Sequence, residues 1–148
     1  DWALVEMEDA SFYRPNFLVI PDTEHGCHII GELKTQGELN SRSDLDSTSK
    51  RSVVMSSGTS GFKRGILSES PSFLLIAPGK AFGLYYTNIL IDLQIGDSGS
   101  WVIDDMSHEV YGHVVASDSF REAYVMPISA TFEDMKSHLQ VQSVCLPD

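Results

Sequence analysis

The stretch Gly96-Asp97-Ser98-Gly99-Ser100-Trp101-Val102 decides how this sequence is interpreted. One serine stands between an aspartate and a glycine, and a second glycine lies two positions before it. Glycines on both sides of a serine predict a tight turn that exposes the hydroxyl and directs backbone N–H groups into one space. Acyl-transfer enzymes need this arrangement, because the nucleophile must lie beside donors that stabilise an oxyanion.

The composition is ordinary for a soluble globular protein, with 42% hydrophobic and 21% charged residues over 148 positions. This length is sufficient for one domain with its own core. The net charge of −11 disfavours nucleic acid and anionic membranes as partners, because both attract lysine and arginine. The sequence shows neither an apolar run of the ~18 residues that a membrane span needs nor a signal peptide.

The two cysteines, Cys27 and Cys145, bear on the compartment and on metal binding. Such sparse cysteine favours a reducing, cytoplasmic location, although a Cys27–Cys145 disulfide stays an open alternative. His25, Cys27 and His28 resemble half of a metal site, but no second cluster has ligand spacing. We therefore expect no metal and no cofactor.

Short apolar runs separated by Gly or Pro turns, which begin at Val53 and continue to Ile91, predict an antiparallel β-barrel. The cluster 57–61 (SGTSG) predicts one of its turns, whereas the serine-rich stretch 36–52 predicts an exposed connector. We expect Trp2 and Trp101 to belong to the core rather than to a binding site.

A C-terminal helix is predicted over 129–140, followed by a tail at 141–148. Its apolar residues recur at helical spacing, as Phe132, Met135 and Leu139. Ser129 or Thr131 is expected to cap it, and Glu133 and Asp134 are expected to stabilise its first turn.

Several segments together resemble the trypsin-like serine peptidases of the chymotrypsin (PA) clan. These are the Gly-Asp-Ser-Gly sequence at 96–99, the opening Asp1-Trp2-Ala3-Leu4-Val5-Glu6, and the strand-like segments 110–117 and 122–128. The form of the loop is most similar to fungal trypsin-like domains of larger intracellular proteins, in which the nucleophile is serine or cysteine. The resemblance covers most of 1–8 and 52–140, and it is weak over 9–51.

The resemblance implies an all-β fold, an antiparallel six-stranded barrel that is the second of a trypsin-like double barrel, with a C-terminal helix. Residues 1–8 would then be the last strand of a mostly missing first barrel. Residues 9–51 would be a partly irregular connector, and 52–128 the second barrel. No histidine precedes Asp1, so we expect the sequence to be part of a longer protein whose upstream residues supply the general base.

The same resemblance assigns roles to individual residues. Ser98 is the nucleophile, and the N–H groups of Gly96 and Ser98 form the oxyanion hole. Asp1 orients the histidine that lies upstream. Asp97, which pairs with a released N-terminal ammonium in secreted relatives, either stabilises the loop or is solvated. Asp92 corresponds to the floor of the substrate pocket, where an aspartate selects arginine or lysine.

Further residues lie where the resemblance places the pocket wall, with barrel packing as the alternative: Val115, Ala116, Ser117 and Tyr124. Among the histidines, His113 is either a core residue or the base of a rearranged triad, and His108 and His138 are expected at the surface. We expect residues 1–148 alone to be inactive, because an unassisted hydroxyl keeps its proton.

The expected function is that of a serine endopeptidase, which hydrolyses peptide bonds through an acyl-enzyme on Ser98. Its expected partners are a peptide or protein substrate and the first barrel of the same protein. The alternative is an inactive peptidase-like module that serves as a scaffold or sensor in a larger intracellular protein. A β-barrel that binds a small molecule is a third class, without a specific motif in its favour.

Overall fold

The computed structural model describes residues 18–22, 26–30, 34–35, 51–74, 83–89 and 93–144, and these are mostly β-strand. The strands are β1 (Leu18–Asp22), β2 (Gly26–Ile30), β3 (Lys34–Thr35), β4 (Arg51–Ser57), β5 (Gly61–Leu74), β6 (Gly83–Ile89), β7 (Trp101–Asp104), β8 (Glu109–Ser117) and β9 (Ala123–Pro127). One helix, α1 (Ile128–Leu139), follows β9 directly. The predicted class, a β fold with a C-terminal helix, is therefore confirmed.

The strands form one antiparallel hairpin and one larger, curled sheet. β1 pairs with β2, whereas the larger sheet has the order β3-β8-β7-β4-β5-β6-β9. Within it only the two-residue strand β3 runs parallel to its neighbour. β9 pairs with β6 along one edge and with β8 along the other, so the sheet curls strongly around its core.

Side chains from most of these strands meet in a single apolar cluster. It consists of Val53, Met55, Leu67, Val102, Tyr111, Val114 and Val125. β9 alternates buried and half-buried residues, as expected for a strand with one face towards a core. In β4, by contrast, three consecutive residues at 53–55 are buried, so both faces of that strand are covered.

The helix packs its first turns against the end of the sheet. Ile128 is buried with Ile103 and Val110, and Phe132 packs against this second cluster. No helix among the described residues is both long enough and apolar enough to cross a membrane.

The predicted capping of α1 is wrong. The residue at the N-cap position is Pro127, and no side chain caps the helix. Thr131 lies inside the helix, where its hydroxyl donates to the carbonyl of Pro127 at 3.4 Å. The reason is that β9 runs into α1 without a loop, so the N-cap position falls on a strand residue. The helix begins at Ile128, so Glu133 and Asp134 lie beyond its first turn, which holds no acidic residue.

Trp101 also departs from the prediction, because its side chain is 38% exposed. Its strand neighbours Val102 and Ile103 are buried instead. Val102 points into the main apolar cluster, whereas Ile103, on the same strand face as Trp101, lies in the second cluster with Ile128. The outer face of β7 is therefore covered at Ile103 but not at Trp101. The predicted turn at 57–61 is the connection between β4 and β5. Residues 1–8, Trp2, most of the connector 36–52 and Cys145 lie outside the described residues.

Candidate functional site

The Ser98 loop, residues 93–100, is shaped by two turns and anchored to β8. The N–H of Asp97 donates to the carbonyl of Gln94 at 3.0 Å, and that of Ser100 donates to the carbonyl of Asp97 at 3.1 Å. Gly99 then donates to the carbonyl of Val114 at 2.8 Å, and Val114 donates back to Ser100 at 2.9 Å. These bonds fix the loop on both sides of Ser98.

Two glycines make the path of this loop possible. Gly96 has a φ of 103° and Gly99 a φ of 87°, in the region that residues with a Cβ rarely adopt. At Gly96 an added Cβ would also lie 2.7 Å from Oγ1 of Thr59. Gly96 is therefore required both for its backbone conformation and for the close approach of the β4–β5 turn.

Asp97 is a buried residue of this loop, with only 1% of its surface exposed. Its Oδ1 accepts hydrogen bonds from the hydroxyls of Ser57 and Ser60, each at 2.5 Å. Its Oδ2 accepts the backbone N–H of Gln94 at 2.8 Å and lies 3.7 Å from Nζ of Lys63. A buried carboxylate needs such partners, because an isolated charge is costly to remove from water.

The charge state of Asp97 follows from these contacts. Burial alone would raise the pKa of the carboxyl, because it disfavours the charged form. The bonds from the Gln94 N–H and the two serine hydroxyls, together with the Lys63 charge, outweigh burial and lower the pKa well below its usual range. Asp97 is therefore ionised throughout the physiological range. Of its two predicted states, stabilising the loop or lying in solvent, the geometry corresponds to the first.

Ser98 differs from the preceding residue, Asp97, in both exposure and hydrogen bonding. Its side chain is exposed, and it makes no hydrogen bond to another described residue. The N–H groups of Gly96 and Ser98 likewise donate to no other group in the part of the chain that the structure describes, although those of Asp97, Gly99 and Ser100 do. The predicted nucleophile and the two predicted oxyanion donors therefore have no hydrogen-bond partner within the described ranges.

The predicted pocket-wall residues lie on β8 and β9. Val115 and Ala116 are half-buried, whereas Ser117 is exposed. Tyr124 stands opposite Ala116 in the β8–β9 register, and its hydroxyl donates to Oδ2 of Asp118 at 3.2 Å. Asp1 and Asp92, predicted to orient the base and to form the pocket floor, lie outside the described residues.

The described histidines do not complete a triad with Ser98. His113 lies half-buried on β8, in register with Trp101, and its burial lowers its pKa. His138 lies exposed on α1, where its Nδ1 is 2.9 Å from the carbonyl of Asp134. Neither His113 nor any other histidine of the described ranges is hydrogen-bonded to Ser98. Those ranges also hold no group of three metal-ligating side chains.

Three residues of the site were missed by sequence reasoning, namely Ser57, Ser60 and Lys63. The cluster 57–61 was interpreted only as a turn, because serine and glycine are the usual residues of turns. A sequence signal for them does exist, because two serine hydroxyls and a lysine lie within or next to the predicted turn at 57–61. Their partner, Asp97, lies about 40 positions further along the chain, beyond what local patterns report.

Comparisons with known proteins give one partial match. No protein family and no solved structure matches this chain. A Gibberella zeae protein described as "Gramillins biosynthetic cluster protein" is 55% identical over 53 residues, which are 36% of this chain. The matched part spans only 7% of that protein's length.

Proposed function

We propose that this chain carries the nucleophile of a trypsin-like serine endopeptidase domain, with Ser98 as the attacking residue. The observation that supports the proposal is the contrast within the Ser98 loop. The exposed hydroxyl of Ser98 directly follows a buried, hydrogen-bonded carboxylate, and both residues lie between two glycines of positive φ.

In this proposal the curled sheet is the second barrel of a double barrel. The pairing of β9 with both β6 and β8 supports a six-stranded antiparallel barrel formed by β4 to β9. The first barrel and the imidazole base would come from outside the described residues. The scarcity of cysteine supports a reducing compartment for such a domain.

The proposed reaction proceeds through an acyl-enzyme. The Ser98 oxygen attacks the peptide carbonyl carbon while its proton passes to the imidazole. The carbonyl oxygen, now negative, accepts hydrogen bonds from the N–H groups of Gly96 and Ser98. The C–N bond then breaks and the leaving amine takes the proton from the imidazole. Water attacks the resulting ester by the same route, which releases the acid and restores the Ser98 hydroxyl.

The substrate would be a peptide or protein segment that lies along the exposed side of this loop. Asp92 is proposed as the group that would favour an arginine or lysine side chain, because a carboxylate and a guanidinium form strong paired hydrogen bonds. Val115, Ala116, Ser117 and Tyr124 are the proposed pocket walls. The position of β8 beside the loop, through the bond from Gly99 to Val114, supports this.

Labelling of the full-length protein with a fluorophosphonate probe tests the proposal. The wild type should be labelled on Ser98, and Ser98→Ala should abolish labelling. Ser137→Ala is the matched control, because this serine is exposed on α1 and lies outside the loop. Labelling that persists in Ser98→Ala, or that Ser137→Ala also abolishes, would contradict the assignment.

A second candidate function is an inactive peptidase-like module that binds other proteins as a scaffold or sensor. It is favoured by the fact that no histidine among the described residues is hydrogen-bonded to Ser98. The two candidates differ in whether a histidine outside the described residues acts as the base for Ser98. A histidine there whose substitution abolishes labelling of Ser98 supports the peptidase, whereas a folded protein that is never labelled supports the module.

A further inference from the structure

The turn between β4 and β5 makes two separate contacts with the Ser98 loop. Ser57 and Ser60 donate to Oδ1 of Asp97. Thr59, between them, donates from its Oγ1 to the carbonyl of Gly96 at 3.4 Å. The turn therefore touches both residues that precede the proposed nucleophile.

The hydroxyl of Ser57 is itself held in place before it reaches Asp97. Its Oγ accepts the backbone N–H of Thr59 at 3.0 Å and that of Ser60 at 3.3 Å. These two acceptor bonds leave the hydroxyl proton to point away from the turn, towards the carboxylate. Because the donor is already oriented by the turn, little further ordering is needed to bind Asp97.

The carboxylate of Asp97 is close to saturated by these partners. An ionised carboxylate offers about four acceptor positions. Asp97 uses three of them for two serine hydroxyls and one backbone N–H, and the ammonium of Lys63 lies 3.7 Å away as an ion pair. The negative charge of Asp97 is therefore already paired with a cation of this chain.

We propose that Ser57, Ser60 and Lys63 are positioning residues, which hold the Ser98 loop in its reactive conformation in the uncleaved chain. This inference rests on the proposed function for its effect on catalysis. The inference concerns regulation. The cation paired with Asp97 is a lysine of β5, so folding alone brings the Ser98 loop into its reactive conformation. No proteolytic cleavage is then required to activate the protein. Lys63, Ser57 and Ser60 touch Asp97 and act through it.

The test uses the uncleaved full-length protein, whose mass is confirmed intact, and compares Lys63→Met with Arg64→Met. Arg64 neighbours Lys63 on β5, but its exposed side chain lies 3.6 Å from Asp105 instead. We expect Lys63→Met to slow labelling of Ser98 by about tenfold, as loss of a charged partner predicts, and Arg64→Met to leave it unchanged. Lys63→Arg should restore most of the rate.

The double variant Ser57→Ala with Ser60→Ala should also slow labelling of Ser98. Ser60→Ala alone is the milder variant if the double variant does not fold.

Amide hydrogen exchange provides a readout that is independent of catalysis. The N–H groups of Asp97 and Ser100 close the two turns of the loop, so their exchange reports its conformation. We expect faster exchange at both in Lys63→Met and wild-type exchange in Arg64→Met. Unchanged exchange in Lys63→Met overturns the inference, as does a wild type that is labelled only after cleavage. If the wild type is never labelled, the proposed function fails, and the exchange comparison still decides whether these residues position the loop.

Discussion

The hydroxyl of Tyr111 donates a 2.8 Å hydrogen bond to Oδ2 of Asp104, and this bond joins β8 to β7 inside the sheet. The other oxygen of Asp104 accepts the N–H groups of Met106 and Ser107, at 2.8 and 2.7 Å, which closes the turn between the two strands. Arg51 on β4 donates to the Tyr111 hydroxyl at 3.2 Å. One buried phenol thus links three neighbouring strands.

Replacing Tyr111 with phenylalanine should destabilise the fold. The variant loses both bonds of the hydroxyl and leaves Asp104 with one partner fewer, which should lower the free energy of unfolding by about 1–2 kcal/mol. Urea denaturation would measure the loss. Tyr124→Phe is the matched control, because its hydroxyl bond to Asp118 lies at a more exposed loop, and it should cost less. An equal effect of the two variants would contradict the buried linkage.

Tyr111 should also make the protein sensitive to alkali. Burial, together with the hydrogen bond to Asp104 and its negative charge, raises the pKa of Tyr111 to about 12, against the partial opposing effect of Arg51. The folded state therefore holds this proton more tightly than the unfolded state, whose tyrosine pKa is about 10. Stability should fall as the pH rises above about 10. A tyrosinate absorbance titration should show a late-titrating group that is absent from Tyr111→Phe; a titration identical in both would refute it.

Gly96→Ala should disturb the Ser98 loop more than Gly58→Ala disturbs the adjacent turn. The first places a Cβ at a φ of 103° and against Thr59, whereas a Cβ at Gly58 meets nothing within 4 Å. The positive φ alone should cost about 1–2 kcal/mol. Thermal unfolding of the two variants measures the difference, and comparable melting temperatures would show that the loop tolerates a side chain.

Gly112→Ala should be far more damaging. A Cβ at Gly112 would lie 1.8 Å from the carbonyl oxygen of Met126, an atom of the β9 backbone that cannot move aside alone. Because Gly112 pairs with both Val102 and Pro127, separating β8 from β9 there also strains β7. We expect little folded protein by circular dichroism. A variant that folds with normal stability would mean that β8 and β9 lie further apart than described.

His113 should make stability depend on mildly acidic pH. Burial lowers its pKa, so the unfolded chain takes up the proton first as the pH falls. Stability should therefore decrease as the pH drops below about 6.5, the value of an unperturbed histidine. His113→Gln should flatten this part of the stability profile, measured by urea denaturation at a series of pH values. Equal slopes for wild type and His113→Gln would contradict the prediction.

The sequence predicted the class of fold because the signals for it are local. Segments with glycine or proline separate the strands from β4 to β7, and the spacing of Phe132 and Met135 marks α1. It failed at the start of α1, since a strand that ends on Pro127 leaves no loop in which Ser129 could cap. It failed at Trp101 because the sequence does not say how far along β7 the second cluster covers the face that Trp101 shares with Ile103.

For the site, the sequence identified the loop but not what supports it. The glycines around Ser98 are a local signal, and their positive φ values follow from their role in a turn. The contacts of Asp97 with Ser57 and Lys63 depend on how β4 and β5 pack beneath the loop, which no pattern within either segment records. Asp1 and Asp92 lie outside the described residues, so their roles stay predictions.

The saturation of Asp97 also has a consequence for how related sequences diverge. Replacing Asp97 alone would remove the acceptor that the Ser57 and Ser60 hydroxyls share, together with the negative charge that lies 3.7 Å from the ammonium of Lys63. Descendants that abandon the acid at position 97 should therefore also abandon the lysine at 63. An alignment of homologues should show the two positions changing together, even in lineages where Ser98 has been exchanged for another residue.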